Sequence, residues 1–233
     1  MSQLADSAPT PGSSAAPRLR VARAGGRVVP TLGFLLLMGV LLAADLGLKH
    51  WAFRHVADRP VVLTAEAARD HRGFWLRYAH EPVVVLPEVL NLQLTTNTGA
   101  VFGLGKGNRV LFISISALAT AVIGWMFWRS PAGAWLLHVA LAMILAGALG
   151  NLYDRVLYSA VRDMLHLFPG VPLPLGLAWP GGVRDVWPWI FNLADVALLA
   201  GVGLVLIVTW RTEARAKAQA AESAPPPPAT PSS

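Results

Sequence analysis

The stretch that decides the fold is VLFISISALATAVIGWMFW, residues 110–128, which contains no charged side chain. As an α-helix it would be about 28 Å long, because each residue adds about 1.5 Å along the helix axis. About 20 apolar residues in a helix span the hydrocarbon core of a bilayer, which is about 30 Å thick. The sequence therefore predicts a transmembrane helix at residues 110–128.

Three further apolar runs lie outward from this stretch. A tight turn is predicted at residues 129–133 (RSPAG), followed by a span at residues 134–153. The remaining spans are predicted at residues 31–53 and 189–210. Only 14% of the residues are charged and 55% are hydrophobic, whereas about a quarter are charged in soluble domains. We therefore predict an all-α membrane protein with four transmembrane helices.

Two mixed segments between the spans predict structure outside the membrane. Residues 55–108 contain charges, prolines and two β-like stretches, at residues 83–86 and 89–95. Their composition and alternation predict a small extramembrane β-cradle. The second segment, residues 154–188, is dense in Pro, Gly and Trp, and we predict a periplasmic loop or helix insertion there.

The chain ends differ in composition from the rest. Residues 1–29 and 212–233 are predicted to be flexible tails around a membrane domain at residues 30–211, because such polar, Ala- and Pro-rich segments bury too little apolar surface to fold. Basic residues cluster on one side of the predicted spans: Arg18, Arg20, Arg23, Arg27, Arg129, Arg211, Arg215 and Lys217. The positive-inside rule therefore predicts that both termini are cytoplasmic.

The polar residues that interrupt the apolar runs converge on the opposite membrane face. With four spans, the ends of the first and third and the starts of the second and fourth share one side. The interrupting residues lie at or beside those ends: Asp45, Asn97, Asn151, Asp154, Arg155, Asp163, Asn192 and Asp195. A charged residue in the hydrocarbon region costs about 2.5–3.5 kcal/mol and so faces protein or a wet cavity. The pattern predicts one polar site near one membrane surface.

Four segments in chain order resemble the motifs of lipoprotein signal peptidases (signal peptidase II, peptidase family A8). Residues 45–49 (DLGLK) resemble D-x-x-x-K, and residues 97–102 (NTGAVF) resemble N-x-G-A-x-F. Residues 147–155 (GALGNLYDR) match G-x-x-G-N-x-x-D-R, and residues 161–164 (VRDM) follow in place of V-x-D-F. Residues 191–195 (FNLAD) match F-N-x-A-D.

This resemblance implies an aspartic endopeptidase that removes signal peptides from diacylglyceryl-modified prolipoproteins, cutting just before the lipidated cysteine. Its two catalytic aspartates map to Asp163 and Asp195. Substrate-binding or supporting roles map to Asn97, Gly147, Asn151, Arg155, Asn192 and Ala194. Structural roles map to Asp45, Lys49 and Asp154. Neither a metal nor a cofactor is expected, and the chain has no cysteine and no H-E-x-x-H motif.

The resemblance also implies a location and partners. We expect a multi-pass protein of the bacterial cytoplasmic (inner) membrane, acting as a monomer, with the active site near the outer leaflet. The expected partners are prolipoprotein substrates and membrane lipid. The formal charge of +6 does not predict nucleic-acid binding, because the basic residues cluster beside apolar runs rather than on one patterned element.

Alternatives remain at the level of the site and of the function. The stretch between Asp163 and Asp195 is longer than is usual in the family and contains a second V-R-D, so Asp185 is a rival for the first aspartate. Asp154 is a second rival, although that position is structural in the family. The same carboxylates would also suit a small membrane transporter or proton pathway, and a non-enzymatic scaffold is a further alternative.

Overall fold

The computed structural model describes residues 23–24, 27–69, 73, 77–99 and 109–223. In this part of the chain, four helices are long and apolar enough to cross a membrane, which confirms the predicted spans. A short helix lies between the first two of them. The helices are α1 (Val28–His55), α2 (Ala65–Arg69), α3 (Arg109–Arg129), α4 (Trp135–Tyr158) and α5 (Leu193–Glu222).

The fourth spanning helix, α5, differs most from its predicted bounds of 189–210. It begins later, because the residues before it form a strand and Asn192 caps its first turn. It also continues to Glu222. Residues 211–222 (RTEARAKAQAAE) are mostly Ala, Arg, Glu, Lys and Gln, which are strong helix formers. The helix therefore includes residues 212–222, which the sequence assigned to a flexible tail.

A four-stranded antiparallel sheet lies outside the helices, with strands in the order β1-β2-β3-β4. Strands β1 (Val83–Leu86) and β2 (Leu90–Asn97) confirm the predicted β-like stretches. Strands β3 (Val161–Leu167) and β4 (Ile190–Phe191) come from the second mixed segment and the predicted start of the fourth span. They add a second half to the predicted cradle.

Helix α4 is the centre of the helical domain and contacts α1, α3 and α5. In its most apolar stretch 56% of the residues are buried, compared with 17% or less in the other spanning helices. Glycines allow this close packing. A methyl group on Gly201 of α5 would lie 2.8 Å from the Ala140 carbonyl oxygen, and one on Gly150 would lie 2.5 Å from an Asp45 carboxylate oxygen.

The segment before α1 lies against the turn between α3 and α4. The backbone N–H of Ala24 donates to the Ser130 carbonyl at 2.9 Å, and Arg23 forms a β-bridge with Pro131. The N-terminus of α1 and the α3–α4 turn therefore lie at the same end of the molecule. The sheet lies at the other end, where α4 finishes and α5 begins.

The insertion between β3 and β4 is an irregular hairpin rather than a helix. The N–H of Leu173 donates to the Arg184 carbonyl at 2.6 Å, and the N–H of Val186 donates to the Val171 carbonyl at 2.8 Å. A 3-10 turn at Pro174–Gly176 closes it. The predicted loop or helix insertion is thus a loop with paired flanks.

Candidate active site

Asp195 sits in the first turn of α5 and is fixed there by a capping box. The Asn192 side-chain oxygen accepts a hydrogen bond from the Asp195 N–H at 3.1 Å. Asp195 Oδ2 accepts one in return from the Asn192 N–H at 3.2 Å. Such reciprocal hydrogen bonds satisfy two backbone N–H groups that the first turn of a helix leaves without intrahelical partners. Asp195 is half-buried.

Asp163 is placed beside Asn192 by the sheet. Strand β3 pairs antiparallel with β4, and Leu165 lies opposite Phe191. Asp163 is two residues before Leu165 and therefore lies near Asn192, which follows Phe191. Asp163 is 2% exposed, and its Oδ1 accepts a hydrogen bond from Asn192 Nδ2 at 2.6 Å. Asn192 thus contacts both aspartates, although they are far apart in the sequence.

Asn151 of α4 completes the link between the two carboxylates. Its Nδ2 donates to Asp195 Oδ1 at 2.8 Å. Its Oδ1 accepts from Asn192 Nδ2 at 3.2 Å and from Lys49 Nζ at 3.0 Å. Because both donors contact the side-chain oxygen of Asn151, its amide nitrogen is directed towards Asp195. Three of the predicted site residues, Asn151, Asn192 and Asp195, therefore form one network with Asp163.

A second, buried charge cluster lies next to this network and contacts it through Lys49. Lys49 Nζ lies 2.8 Å from Asp45 Oδ2 and 3.3 Å from Asp154 Oδ2. Asp154 Oδ1 accepts from Arg162 Nη2 at 2.7 Å and from Arg162 Nε at 3.0 Å. Asp45 Oδ1 accepts from the Ala194 N–H at 2.9 Å, which ties α1 to the start of α5. The cluster holds the ends of α1, α4 and α5 together.

Arg162 was missed as a site residue by the sequence reasoning. It is 5% exposed and supplies the main cationic partner of Asp154, with its backbone N–H adding a third hydrogen bond at 3.0 Å. The available signal was its place next to Asp163 in V-R-D, seven residues after the motif that contains Asp154. Buried acids need such a partner, because an unpaired buried charge is strongly unfavourable.

Asn97 and Arg155 lie at the edge of the site, around Gly99. Asn97 Oδ1 accepts from the Gly99 N–H at 3.0 Å, and Arg155 Nη2 is 3.5 Å from the Gly99 carbonyl oxygen. The Arg155 guanidinium also stands 4.8 Å from the centre of the Phe112 ring. Residues 100–102, which complete the N-x-G-A-x-F segment, lie outside the described residues.

Gly147 and Ala194 lie in the contact between α4 and α5. A methyl group on Gly147 would collide with the Ala194 carbonyl oxygen and would stand 3.0 Å from Leu198 Cβ. Ala194 itself is 1% exposed. Their small side chains therefore let the two helices approach closely, and the space beside them is filled by protein.

Asp185, the rival for the first aspartate, lies in the insertion. Its backbone carbonyl accepts from Trp179 Nε1 at 2.9 Å, and it forms a β-bridge with Pro172. No hydrogen bond or ion pair found in the described part of the chain connects its side chain to Asp195. The geometry therefore favours Asp163 over Asp185.

Burial and charge act together on Asp163. Burial raises the pKa of its carboxyl well above the usual value, and the neighbouring charge of Asp195 raises this pKa further. The hydrogen bond from Asn192 acts in the opposite direction but is the smaller influence. A carboxyl with a raised pKa can serve as a proton donor in acid–base chemistry.

Within the described ranges, no group of three or more His, Asp and Glu side chains is arranged to hold a metal ion. The polar groups of the site are instead two carboxyls, two amides and their cationic supports. Such a set can move protons and bind carbonyl oxygens. It provides the elements of acid–base hydrolysis.

Known proteins were compared with this chain. The family model described as Signal peptidase (SPase) II matches residues 37–211. A lipoprotein signal peptidase of Desulfitobacterium hafniense is 35% identical over 128 residues, which are 55% of this chain and 74% of that relative. One of Methylobacterium sp. (strain 4-46) is 36% identical over 144 residues, covering 60% of this chain and 77% of the relative.

A solved structure shares the fold. It is described as a bacterial membrane enzyme determined by the in meso method at 2.3 Å resolution. The TM-score is 0.58 at 22% identity, covering 78% of this chain and 90% of the other. Together with the family match over residues 37–211, this agreement means that the chain belongs to the signal peptidase II family.

Proposed function

We propose that this protein is an intramembrane aspartic endopeptidase that removes signal peptides from diacylglyceryl-modified prolipoproteins, cutting just before the lipidated cysteine. Family membership supports the coarser part, a multi-pass bacterial inner-membrane protease that processes lipoproteins. The observation that carries the finer part is the contact of Asn192 with both Asp163 and Asp195.

The proposed chemistry uses one proton shared by the two aspartates. Two nearby carboxyls cannot both ionise cheaply, so we assign one shared proton to the pair and propose that it resides on Asp163, the more deeply buried of the two. Asp195, held by Asn151 and by the start of α5, takes a proton from a water molecule. The water oxygen attacks the scissile carbonyl carbon while Asp163 donates its proton to the carbonyl oxygen. Asp195 then returns its proton to the amide nitrogen as the C–N bond breaks, and Asp163 takes a proton back from the gem-diol, which leaves a carboxylic acid and a free amine.

The proposed supporting roles follow from the contacts. Asn151 and Asn192 orient the carboxyls, because each amide donates to one of them. Asn97 and Arg155 surround the Gly99 backbone at the edge of the site, where we place the substrate backbone. The buried cluster of Asp45, Lys49 and Asp154 holds the helix ends that carry these groups.

The site is proposed to face the outer leaflet, with the protein acting as a monomer. Asp163 and Asp195 lie at the end of the molecule where α4 finishes and α5 begins, away from the basic α3–α4 turn. A lipid-modified signal helix reaches this position by lateral movement in the bilayer. Membrane lipid is therefore part of the proposed working environment.

A transporter or proton pathway is disfavoured by the course of α4. Between His138 and Asn151 this central helix carries no polar side chain. The buried residues in that stretch include Ala140, Leu141, Ala142 and Leu145. Ion and proton pathways need polar groups through the membrane depth, and here the buried acids stop near one surface.

The test is cleavage of a diacylated prolipoprotein by the purified protein in proteoliposomes. We expect Asp163→Asn and Asp195→Asn to lower the rate by about 10²–10⁴-fold or more, the usual contribution of a general acid or base. Asp185→Asn is the matched control and should keep the wild-type rate. Wild-type cleavage by either of the first two variants would show that the pair is not catalytic.

A further inference from the structure

The insertion between β3 and β4 ends in an exposed apolar tip. Residues 167–183 contain no charged side chain. Leu175, at the tip, is 96% exposed and Leu177 is 58% exposed. Among the large apolar side chains on the described parts of the spanning helices, the most exposed is Val29 at 80%. Leu175 is thus more exposed than any of these side chains, and Leu177 is within their range.

The shape of this tip is fixed by its own backbone. Leu175 has a φ of 57°, in the left-handed region that leucine rarely adopts. The flanks pair through Leu173 and Arg184, and the N–H of Trp179 donates to the Val183 carbonyl at 2.8 Å. An ordered turn that presents a leucine outward in an unfavourable conformation indicates a surface with a partner.

The tip is connected to the membrane domain by aromatic rings in edge-to-face contact. The Trp179 ring centre lies 4.7 Å from that of Trp189, and Trp187 lies 5.3 Å from Trp189 and 6.1 Å from Phe191. Phe191 is in β4, and α5 begins two residues later. At most about 14 Å of extended chain separates Trp189 from Leu193. The tip is therefore tied to a point where a spanning helix starts.

We propose that this tip, residues 174–177, inserts into the bilayer surface on the side where α5 begins. The partner is phospholipid, at the boundary between headgroups and acyl chains. Three features support this insertion. The tip is connected to the start of a spanning helix, and residues 167–183 carry no charge. Three tryptophans, a residue type typical of membrane interfaces, lie between the tip and α5 in the chain. The inference concerns position in the membrane and does not depend on the proposed catalysis.

The experiment uses the absence of cysteine in this chain. Leu175→Cys and, separately, Leu177→Cys carry an environment-sensitive nitrobenzoxadiazole probe in the full-length protein. Each is placed in nanodiscs of phosphatidylcholine and phosphatidylglycerol with or without phospholipid nitroxide-labelled near the headgroup. Glu222→Cys is the matched control, because it lies about 18 Å of helix beyond Trp210 and is exposed.

We expect blue-shifted emission at both tip positions, loss of fluorescence to the lipid nitroxide, and protection from iodide in the water. The Glu222→Cys probe should show the reverse. Iodide quenching at the tip equal to that at Glu222→Cys would place the tip in water and overturn the inference. Protection from both quenchers would mean that the tip is buried against protein, such as a second copy of this chain, and would also overturn the inference. The two tip variants are read separately, so misfolding of one leaves the other decisive.

Discussion

Asn192 has two roles that a single substitution can separate. Its backbone and side-chain oxygen cap α5 around Asp195, whereas its amide nitrogen donates to Asp163. Loss of an N-cap costs about 1 kcal/mol, and loss of a buried hydrogen-bond partner costs about 1–3 kcal/mol more. The residue therefore connects helix stability to the geometry of the site.

We expect Asn192→Ala to lower both the thermal unfolding temperature and the cleavage rate. Asn192→Ser is the informative control, because serine caps helices well but has no amide nitrogen to reach Asp163. It should recover part of the stability and little of the activity. Equal recovery of both would mean that Asn192 acts on catalysis only through the helix.

Asp163 should make the stability of the protein depend on pH. Its folded-state pKa lies above the unfolded value because of burial and the Asp195 charge. The folded state therefore binds the proton more tightly, and this stabilisation is complete below the unfolded pKa and lost as pH rises through the folded pKa. Unfolding temperatures should fall over that range in the alkaline direction.

Asp163→Asn imitates the protonated carboxyl and keeps an oxygen for the Asn192 amide. We expect this inactive variant to be more stable than the wild type at neutral and higher pH, with the difference disappearing in acid. Each 1 kcal/mol gained raises the unfolding temperature by about 2–4 °C in a chain of this size. A pH-independent difference would contradict the proposed protonation of Asp163.

At the scale of the elements, α5 offers a matched pair of glycines. A methyl group on Gly201 would lie 2.7 Å from Ile144 Cγ1 and 2.8 Å from the Ala140 carbonyl oxygen, whereas one on Gly203 meets nothing within 4 Å. We expect Gly201→Ala to destabilise the protein by about 1–3 kcal/mol through overpacking. Gly203→Ala should be neutral or slightly stabilising. Unfolding in detergent measures both, and similar effects would argue against the close α4–α5 contact.

The buried cluster between α1 and α4 gives a second element-scale prediction. Lys49→Met leaves Asp45 without its cation and removes a donor to Asn151. Breaking a buried ion pair costs about 3–5 kcal/mol. The double variant Asp45→Asn with Lys49→Met should recover part of this loss, because it removes the uncompensated charge. A strictly additive result would show that the two side chains are not coupled.

Some elements were predictable from sequence and others were not. Long apolar runs predicted the four helices, and alternation predicted β1 and β2. Strand β3 (VRDMLHL) is buried over its first four residues. Arg162 pairs with Asp154 at the end of α4, and Asp163 accepts from Asn192, 29 residues further along the chain. Strand β4 has two residues. No local pattern shows such pairing, so the motifs single out Asp163 and Asp195 as candidates but do not predict the strand that presents Asp163.

For the whole molecule, the relation of the sheet to the chain ends defines the sidedness of the site. Asp163 belongs to the same sheet as β1 and β2, whose connecting turn contains the exposed Glu88. Arg23 and the α3–α4 turn mark the opposite end, as does the end of α5 at Glu222. A label at Glu88 therefore reports the side of the active site, and a label at Glu222 reports the side of the C-terminal end of α5.

The positive-inside rule predicts that the basic end is cytoplasmic. In spheroplasts, a membrane-impermeant maleimide should therefore label Glu88→Cys directly and Glu222→Cys only after permeabilisation. Because the chain has no native cysteine, the unsubstituted protein is the blank. We expect the signal peptides of exported lipoproteins to reach the candidate site only when Glu88 is on the outer side of the membrane. The reverse labelling pattern would put Asp163 and Asp195 on the cytoplasmic side. Labelling of both positions in intact spheroplasts would contradict the odd number of membrane crossings proposed between them. A cytoplasmic marker protein with a reactive cysteine, which must stay unlabelled, checks that the spheroplasts are intact.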